Sequence, residues 1–206
     1  MHPSHIGAAY DLLAERWLDE RFGRTNGVAL HERALAFLGG EGGWALNVGC
    51  GCNTRFNPPM RAHGLQLEGI DISERMVALA READPAAVVH HADAVTWRPP
   101  RSYRFITAWD SIWHIGLAEQ GAVLRKLMRA LEPGGVIIFS TGGLDAPAEH
   151  VDSYMGPEVY YASLGIPGLL EAIGAAGCIC RHLEFDQHPE KHLCIIAQRS
   201  ACTIAL

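Results

Sequence analysis

The chain has 206 residues, 49% of them hydrophobic, and a formal net charge of -6. That length buries one substantial core and leaves little for a second. Its 17 basic residues are scattered rather than gathered into a stripe, so no footprint for a phosphate backbone is present and a nucleic-acid partner is excluded from the expectations.

In chain order, Met-His-Pro-Ser-His carries no basic segment leading into an apolar one, and no later apolar run approaches the roughly 20 residues that span a bilayer. A soluble, cytoplasmic protein with no membrane partner is expected. Tyr10, Leu13, Ala14, Trp17 and Leu18 recur at helical spacing, as do Leu30, Ala34, Leu35 and Leu38, which predicts two amphipathic helices in the first forty residues. Gly39-Gly40-Glu41-Gly42-Gly43 then breaks the chain. Short apolar runs follow at Trp44 to Val48, Leu67 to Ile70, Ala87 to His90, Phe105 to Trp109, Val136 to Ser140, Cys178 to Phe185 and His192 to Gln198. Helical patterns separate most of them. Alternation of this kind predicts a largely parallel sheet covered by helices on both faces.

Ser73 is placed to cap a helix carrying Met76, Leu79, Ala80 and Ala83 on one face. A second helix carries Val123, Leu124, Leu127, Met128 and Leu131 and is stopped by Glu132-Pro133-Gly134-Gly135. A third, with Leu169, Leu170, Ile173 and Ala176, stops at Gly177. Only Asp186 to Glu190 separates the last two strands, too short a connection for a helical crossover, so they are expected to pair antiparallel. Cysteines stand at 50, 52, 178, 180, 194 and 202; the C-x-C spacings are too short for an ordinary disulfide, and all are expected to be reduced. Cys178, Cys180, His182, His188 and His192 include donor types suited to zinc, but the alternation through Cys178 to Phe185 reads as a strand, and no metal is expected.

The stretch Ala45-Leu-Asn-Val-Gly-Cys-Gly-Cys-Asn-Thr-Arg-Phe56 is a buried strand running into a glycine loop, which in an open parallel sheet approaches a ligand beyond the carboxyl ends of the strands. The dinucleotide pattern G-x-G-x-x-G puts its third glycine at position 54, which is Thr. Asp71 lies 20 residues beyond Gly51, placed to accept both hydroxyls of an adenosine ribose. A helix-flanking Asp, helped by the dipole of the helix that follows, is the alternative. Asp71 alone does not separate a nicotinamide dinucleotide from other adenosine cofactors.

Asp93, after the third strand in His90-His-Ala-Asp-Ala94, and Leu131-Glu-Pro-Gly-Gly135 make that separation. With Gly49-x-Gly51 and Asp71, these spacings resemble class I S-adenosylmethionine-dependent methyltransferases of the small-molecule type, strongly over residues 40–142. The resemblance implies an α/β Rossmann-like three-layer sandwich with a mostly parallel seven-stranded sheet, an antiparallel last strand and two N-terminal lid helices. It implies one domain over 1–206, with a helical lid at 1–40, a cofactor-binding core at 44–142 and an acceptor-side loop, helix and strand pair at 143–206. Asn47 stands where the family usually has an acid and Asn53 where it has a third glycine; Asn tolerates positive φ, so Asn53 is expected to make the turn in that conformation.

Carried over by position, Gly49, Cys50 and Gly51 line the methionine part of S-adenosylmethionine and Asp71 holds its ribose. Ile72 and Met76 pack the adenine, with Asp93 and Ala94 at its edge. Ala108-Trp109-Asp-Ser-Ile-Trp-His114 matches the segment facing the sulfonium. Tyr10 to Trp17 resembles the helix that closes over the cofactor, with plain core packing of Tyr10 and Trp17 as the alternative. The implied reaction is methyl transfer to O, N or S of a small-molecule acceptor, leaving S-adenosylhomocysteine. His114 is the first candidate general base and Asp110 the second; the alternative for His114 is a hydrogen-bonded residue that orients the loop. The long segment 142–162 is read as a loop over the acceptor, with His150, Tyr154, Tyr160 and Tyr161 as candidate acceptor contacts. An NAD(P)-dependent oxidoreductase and a non-catalytic S-adenosylmethionine-binding module are the competing readings.

Overall fold

A computed structural model describes residues 3–18 and 25–201; Cys202 and parts of the expected lid, residues 1–2 and 19–24, lie outside the described residues. Helix α1 (Pro3–Leu13) runs into a 3-10 turn (Ala14–Leu18), and α2 (Val28–Leu35) follows. Then come β1 (Trp44–Val48), α3 (Asn57–Ala62), β2 (Gln66–Asp71), α4 (Glu74–Ala83), β3 (Val88–His91) and β4 (Tyr103–Ala108). A 3-10 turn (Ile112–His114) leads into α5 (Leu117–Arg129) and β5 (Leu131–Gly142). The chain continues through β6 (Ala148–Asp152), β7 (Val159–Ser163), α6 (Gly165–Ala175), β8 (Cys178–Phe185) and β9 (His192–Arg199).

Among the described residues, seven strands form one sheet in the order β3-β2-β1-β4-β5-β9-β8. The first five are parallel, and β9 runs antiparallel to both β5 and β8. Side chains alternate across a strand, and here both faces are apolar. Ile106, Ile137, Phe139 and Ile195 point toward α5 and α6, packing with Leu124, Leu127, Leu169 and Ile173. Phe105, Val136, Ile138 and Ile196 point the other way, against Leu30, Ala34 and Leu35 of α2 and Met60 of α3. Two-sided burial explains why these strands read as continuous apolar runs rather than as alternating ones.

Three expectations change. Pairing of β5 begins at Leu131 rather than Val136, with a register shift opposite Tyr103 to Phe105; α5 ends at Arg129, so Leu131 belongs to the strand rather than the helix, and Glu132 to Gly135 lie within β5 rather than forming the helix stop. Helix α3 is an element absent from the sequence reading, because Asn57-Pro-Pro-Met-Arg-Ala62 is too short to show a period. The segment 142–162 is not a bare loop: β6 and β7 pair antiparallel as a hairpin, Ala148 opposite Ser163 and Asp152 opposite Val159. A hairpin is marginal alone, and this one rests on α1, where Ile6 and Ala9 pack with Val159, Tyr160 and Ala162. No helix among the described residues is long and apolar enough to cross a membrane.

Gln120 of α5 ties the hairpin to the sheet. Fully buried, it donates from Nε2 to the carbonyls of Ile112 and Ala162, both at 3.0 Å, and accepts at Oε1 from Leu164 N at 3.1 Å. Gln120→Met keeps the length of the side chain and strands these three backbone groups, so the urea midpoint should fall with unchanged slope, a loss on the order of 3 kcal/mol.

Candidate active site

A cavity of about 360 Å³ opens at the carboxyl ends of β1, β2 and β4, on the side where the strand order reverses between β1 and β4. Its floor is the glycine loop. Gly49 and Cys50 both donate to Ile70 O, at 2.8 and 3.0 Å, which folds the loop back over β2. Gly49 has φ +66, and a Cβ there would lie 2.3 Å from Ser111 Cβ; only glycine lets the segment after β4 come this close. Ser111 Oγ fixes that approach by donating to Val48 O at 2.8 Å.

Gly51, at φ +55, leaves a cradle: the nearest atom to a Cβ placed on it is Trp17 Cδ1, 4.0 Å away. The loop backbone thus faces the cavity beneath an aromatic ring. Asn53 is not in the left-handed region, since Asp110 is the described non-glycine residue with positive φ. The turn is made otherwise, with Asn53 Oδ1 accepting from Arg55 N at 2.9 Å. Between Gly51 and α3 lie five residues, 52–56, so no helix start stands at the loop to receive a pyrophosphate.

Asp71, at the end of β2, accepts from Gly51 N at 2.8 Å through Oδ2 and from Ser73 N at 2.9 Å through Oδ1. Burial raises its pKa despite these amide bonds. Ser73 caps α4 by accepting from Met76 N at 3.0 Å and donates to Asp11 of α1 at 2.6 Å. Helix α1 therefore sits directly on the turn after β2, at a distance set by Gly7, whose Cβ would lie 2.7 Å from Ile72 O. Asp93 and Ala94 also line the cavity; Asp93 Oδ1 accepts from Val95 N at 2.8 Å. From α5, Lys126 Nζ shapes the same loop by donating to the carbonyls of Ala94, Val95 and Trp97. Every residue expected to touch the cofactor lines this one cavity: Tyr10, Trp17, Gly49, Cys50, Gly51, Asn53, Asp71, Ile72, Met76, Asp93, Ala94 and Trp109. Asn47 is there too.

His114 lines the cavity in a state that bears on its role. Its Nδ1 faces Tyr160 O at 2.8 Å and must carry the proton, because a carbonyl only accepts. The lone pair on Nε2 is then taken by two donors, Tyr10 O–H at 2.7 Å and Trp113 Nε1–H at 3.0 Å. Burial lowers its pKa to about 4. The ring is neutral, and its basic nitrogen is engaged in holding Tyr10 over the crevice, which is the loop-orienting arrangement rather than that of an open base.

Of the four residues expected at the acceptor, Tyr161 alone lines the cavity, within 5.0 Å of the His114 ring. His150 stacks behind Tyr161, Tyr160 is buried with its hydroxyl accepting from Leu117 N and donating to Glu149, and Tyr154 is 96% exposed at the hairpin tip. The cause is the hairpin: alternation sends Tyr160 and Tyr161 to opposite faces, pairing sets His150 against Tyr161, and Tyr154 is left in the turn; read as a loop, the segment offered all four.

His192 and Asp186 were missed as site residues. Residue 192 opens β9, and because β9 lies antiparallel beside β5, with Gly142 opposite His192, the imidazole arrives at the carboxyl edge. Its Nδ1 lies 2.6 Å from Asp186 Oδ1 and its Nε2 2.9 Å from Asp110 Oδ1. Arg55, also unforeseen, lines the same cavity, with its guanidinium over the Phe56 ring and Nε donating to Asn26 O at 2.9 Å. The sequence signal for His192 was the short link before the last strand, but only the neighbouring strand decides which end of the sheet it reaches. Among the described residues, no group of three or more His, Cys, Asp or Glu side chains is placed to hold a metal ion.

The family described as methyltransferase domain matches residues 20–197, most of the chain. The protein belongs to this methyltransferase family. Among curated relatives, the 27-O-demethylrifamycin SV methyltransferase of Amycolatopsis mediterranei is 28% identical over 72% of this chain and 65% of its own length. The dTDP-3-amino-3,6-dideoxy-alpha-D-glucopyranose N,N-dimethyltransferase of Streptomyces fradiae is 33% identical over 45% of this chain and 37% of its own length. The chain thus spans less than two thirds of either relative. The S-adenosylmethionine-bound amino pentose methyltransferase CalS10 of Micromonospora echinaspora shares the fold, with TM-score 0.67 and 17% identity over 92% of this chain and 96% of that one. For this methyltransferase fold, the third glycine that a dinucleotide needs is beside the point, and the oxidoreductase reading falls away.

Burial pushes the His192 pKa down, but its hydrogen bonds to Asp110 and Asp186 outweigh burial and leave it raised. A raised folded-state value means stability that is fully present below the ordinary imidazole pKa and is lost as pH climbs through the raised one. The melting temperature of wild type should therefore exceed that of His192→Gln most near pH ~6, with the gap closing toward pH ~9; a gap that widens with pH would contradict the pairing.

Proposed function

We propose that this chain is a single-domain enzyme that transfers the methyl group of S-adenosylmethionine to a small-molecule acceptor, releasing S-adenosylhomocysteine. One observation carries the reading: the glycine loop, Asp71 and the Asp93-Ala94 edge, far apart in sequence, line one cavity at the carboxyl ends of the parallel strands. The methionine part rests on Gly49 to Gly51 under Trp17, the ribose hydroxyls meet the free lone pairs of Asp71, and adenine lies between Ile72 and Met76. Arg55, whose guanidinium has no acidic partner within salt-bridge reach among the described residues, takes the cofactor's carboxylate. The five cysteines among the described residues are free, which suits the reducing cytoplasm.

A sulfonium methyl is already activated, so the protein's work is placement. The nucleophile must stand about 3 Å from the methyl carbon and in line with sulfur, an arrangement that contributes roughly 7–11 kcal/mol. Tyr10, fixed by His114 and raised in pKa by burial, closes the crevice from α1 and excludes water. The size of the cavity suits a small organic acceptor alongside the cofactor's reacting end better than a protein tail or a nucleic-acid strand.

Calorimetry tests the reading: S-adenosylhomocysteine should bind and NADH should not, and the reverse would refute it. Asp71→Ala should weaken S-adenosylhomocysteine by about ten-fold or more, near 1.4 kcal/mol. Tyr10→Phe, which removes the hydroxyl bond to His114 and keeps the ring, should weaken it less than Tyr10→Ala.

A further inference from the structure

Asp110 stands immediately beyond β4 with φ 54, in the left-handed region that non-glycine residues avoid. Outliers of this kind are held in place by their surroundings, and here the hold is visible. Asp110 N donates to Ser140 Oγ at 2.7 Å, and Ser140 Oγ donates to Asp110 Oδ1 at 2.9 Å. His192 Nε2 reaches the same Oδ1 at 2.9 Å, while its Nδ1 reaches Asp186 at 2.6 Å. Carboxylates only accept, so a ring bonded to one through each nitrogen is an imidazolium. The other oxygen, Oδ2, has no partner among the described residues, and the side chain is 37% exposed in the cavity, whose lining includes the rings of Trp109 and Trp113.

We infer that Asp110 Oδ2 receives the nitrogen of an amine acceptor, with Ser140, His192 and Asp186 as the positioning residues that aim it. The inference rests on the proposed methyl transfer and names its substrate class. When a neutral amine attacks, the N–C bond forms, the C–S bond breaks, and sulfur keeps the electron pair. The unit positive charge moves from sulfur to nitrogen. A carboxylate fixed at the nitrogen end stabilises that charge as it arrives, which is stabilisation realised in the transition state; the product leaves as the ammonium and reaches its own protonation equilibrium in water. A hydroxyl acceptor has a different requirement, because it must shed its proton as it attacks, and a carboxylate is a weak base for an alcohol.

The test uses S-adenosylmethionine carrying a ¹³C methyl group, the full chain and a small-molecule metabolite extract. The carbon shift of the transferred methyl separates N–CH₃ from O–CH₃ and S–CH₃ before any product is isolated. The expected result is N–CH₃, with Asp110→Asn, a residue that tolerates the same φ, losing roughly 100-fold in kcat/KM and binding S-adenosylhomocysteine as wild type does. His192→Gln should show a smaller loss, in kcat more than in KM, again with unchanged affinity for S-adenosylhomocysteine; a merely structural role would move that affinity as well. A methyl group on oxygen or sulfur overturns the inference and leaves methyl transfer standing. A ten-fold weaker S-adenosylhomocysteine affinity in Asp110→Asn also overturns it, because the carboxylate would then serve the cofactor's own amino group. Failure of the wild-type chain to bind S-adenosylhomocysteine removes the proposed function itself.

Discussion

The Asp71 carboxylate joins parts of the molecule that the backbone alone leaves separate. One oxygen holds the Gly51 amide of the loop after β1 and the other holds the Ser73 amide at the start of α4. A buried carboxylate is costly unless its lone pairs are met, and here backbone N–H groups meet them. The constraint runs outward from there. Ser73 bonds Asp11 of α1, so the position of the covering helix depends on the same turn that shapes the cavity floor. Loop, helix start and lid are fixed together, and distortion at any one of them reaches the other two.

A second link closes the crevice from the opposite side. His114, in the turn after β4, takes a hydrogen bond from Tyr10 of α1 and gives one to Tyr160 of β7. Three elements thereby meet at one neutral imidazole. Its burial, which lowers the pKa to about 4, keeps it uncharged near neutrality and so able to accept from Tyr10. Charged groups stand beside this junction, with Asp110 just past the carboxyl end of β4, Asp186 just past that of β8 and His192 at the start of β9. An apolar, aromatic roof with a fixed carboxylate at one wall suits a reaction in which a positive charge is relocated rather than created.

The central strands were legible because burial on both faces leaves continuous apolar runs, and β1 falls on its expected bounds. The edge strand β8, much of it exposed, also falls on its expected bounds, from the alternation in Cys178 to Phe185. Gly177 marked the stop of α6. The β6–β7 hairpin was hidden since Ala148 to Asp152 is almost wholly exposed and polar; what makes it a strand is pairing with Val159 to Ser163 and support from α1. That the residues expected at the cofactor would line one cavity could be anticipated because most of them sit at or just beyond strand ends, and strand ends are visible in sequence. The acceptor side was not, because which of Tyr160 and Tyr161 faces inward depends on a strand pairing, and Tyr154 is carried outward on the hairpin tip.

The sequence by itself determined the doubly covered sheet, the glycine loop and the carboxylates that follow the second and third strands, since hydrophobic period and turn chemistry are local properties. Tertiary structure decided the rest. It put Asn53 outside the left-handed region and Asp110 within it, occupied the lone pair of His114, and brought His192 to the cavity with Asp186 bonded behind it, an arrangement that their neighbours in sequence do not predict. The physical reason is the reach of each interaction: propensity and periodicity act over a few residues, whereas a histidine's tautomer, a carboxylate's free oxygen and the edge a strand reaches are set by groups up to about a hundred positions away.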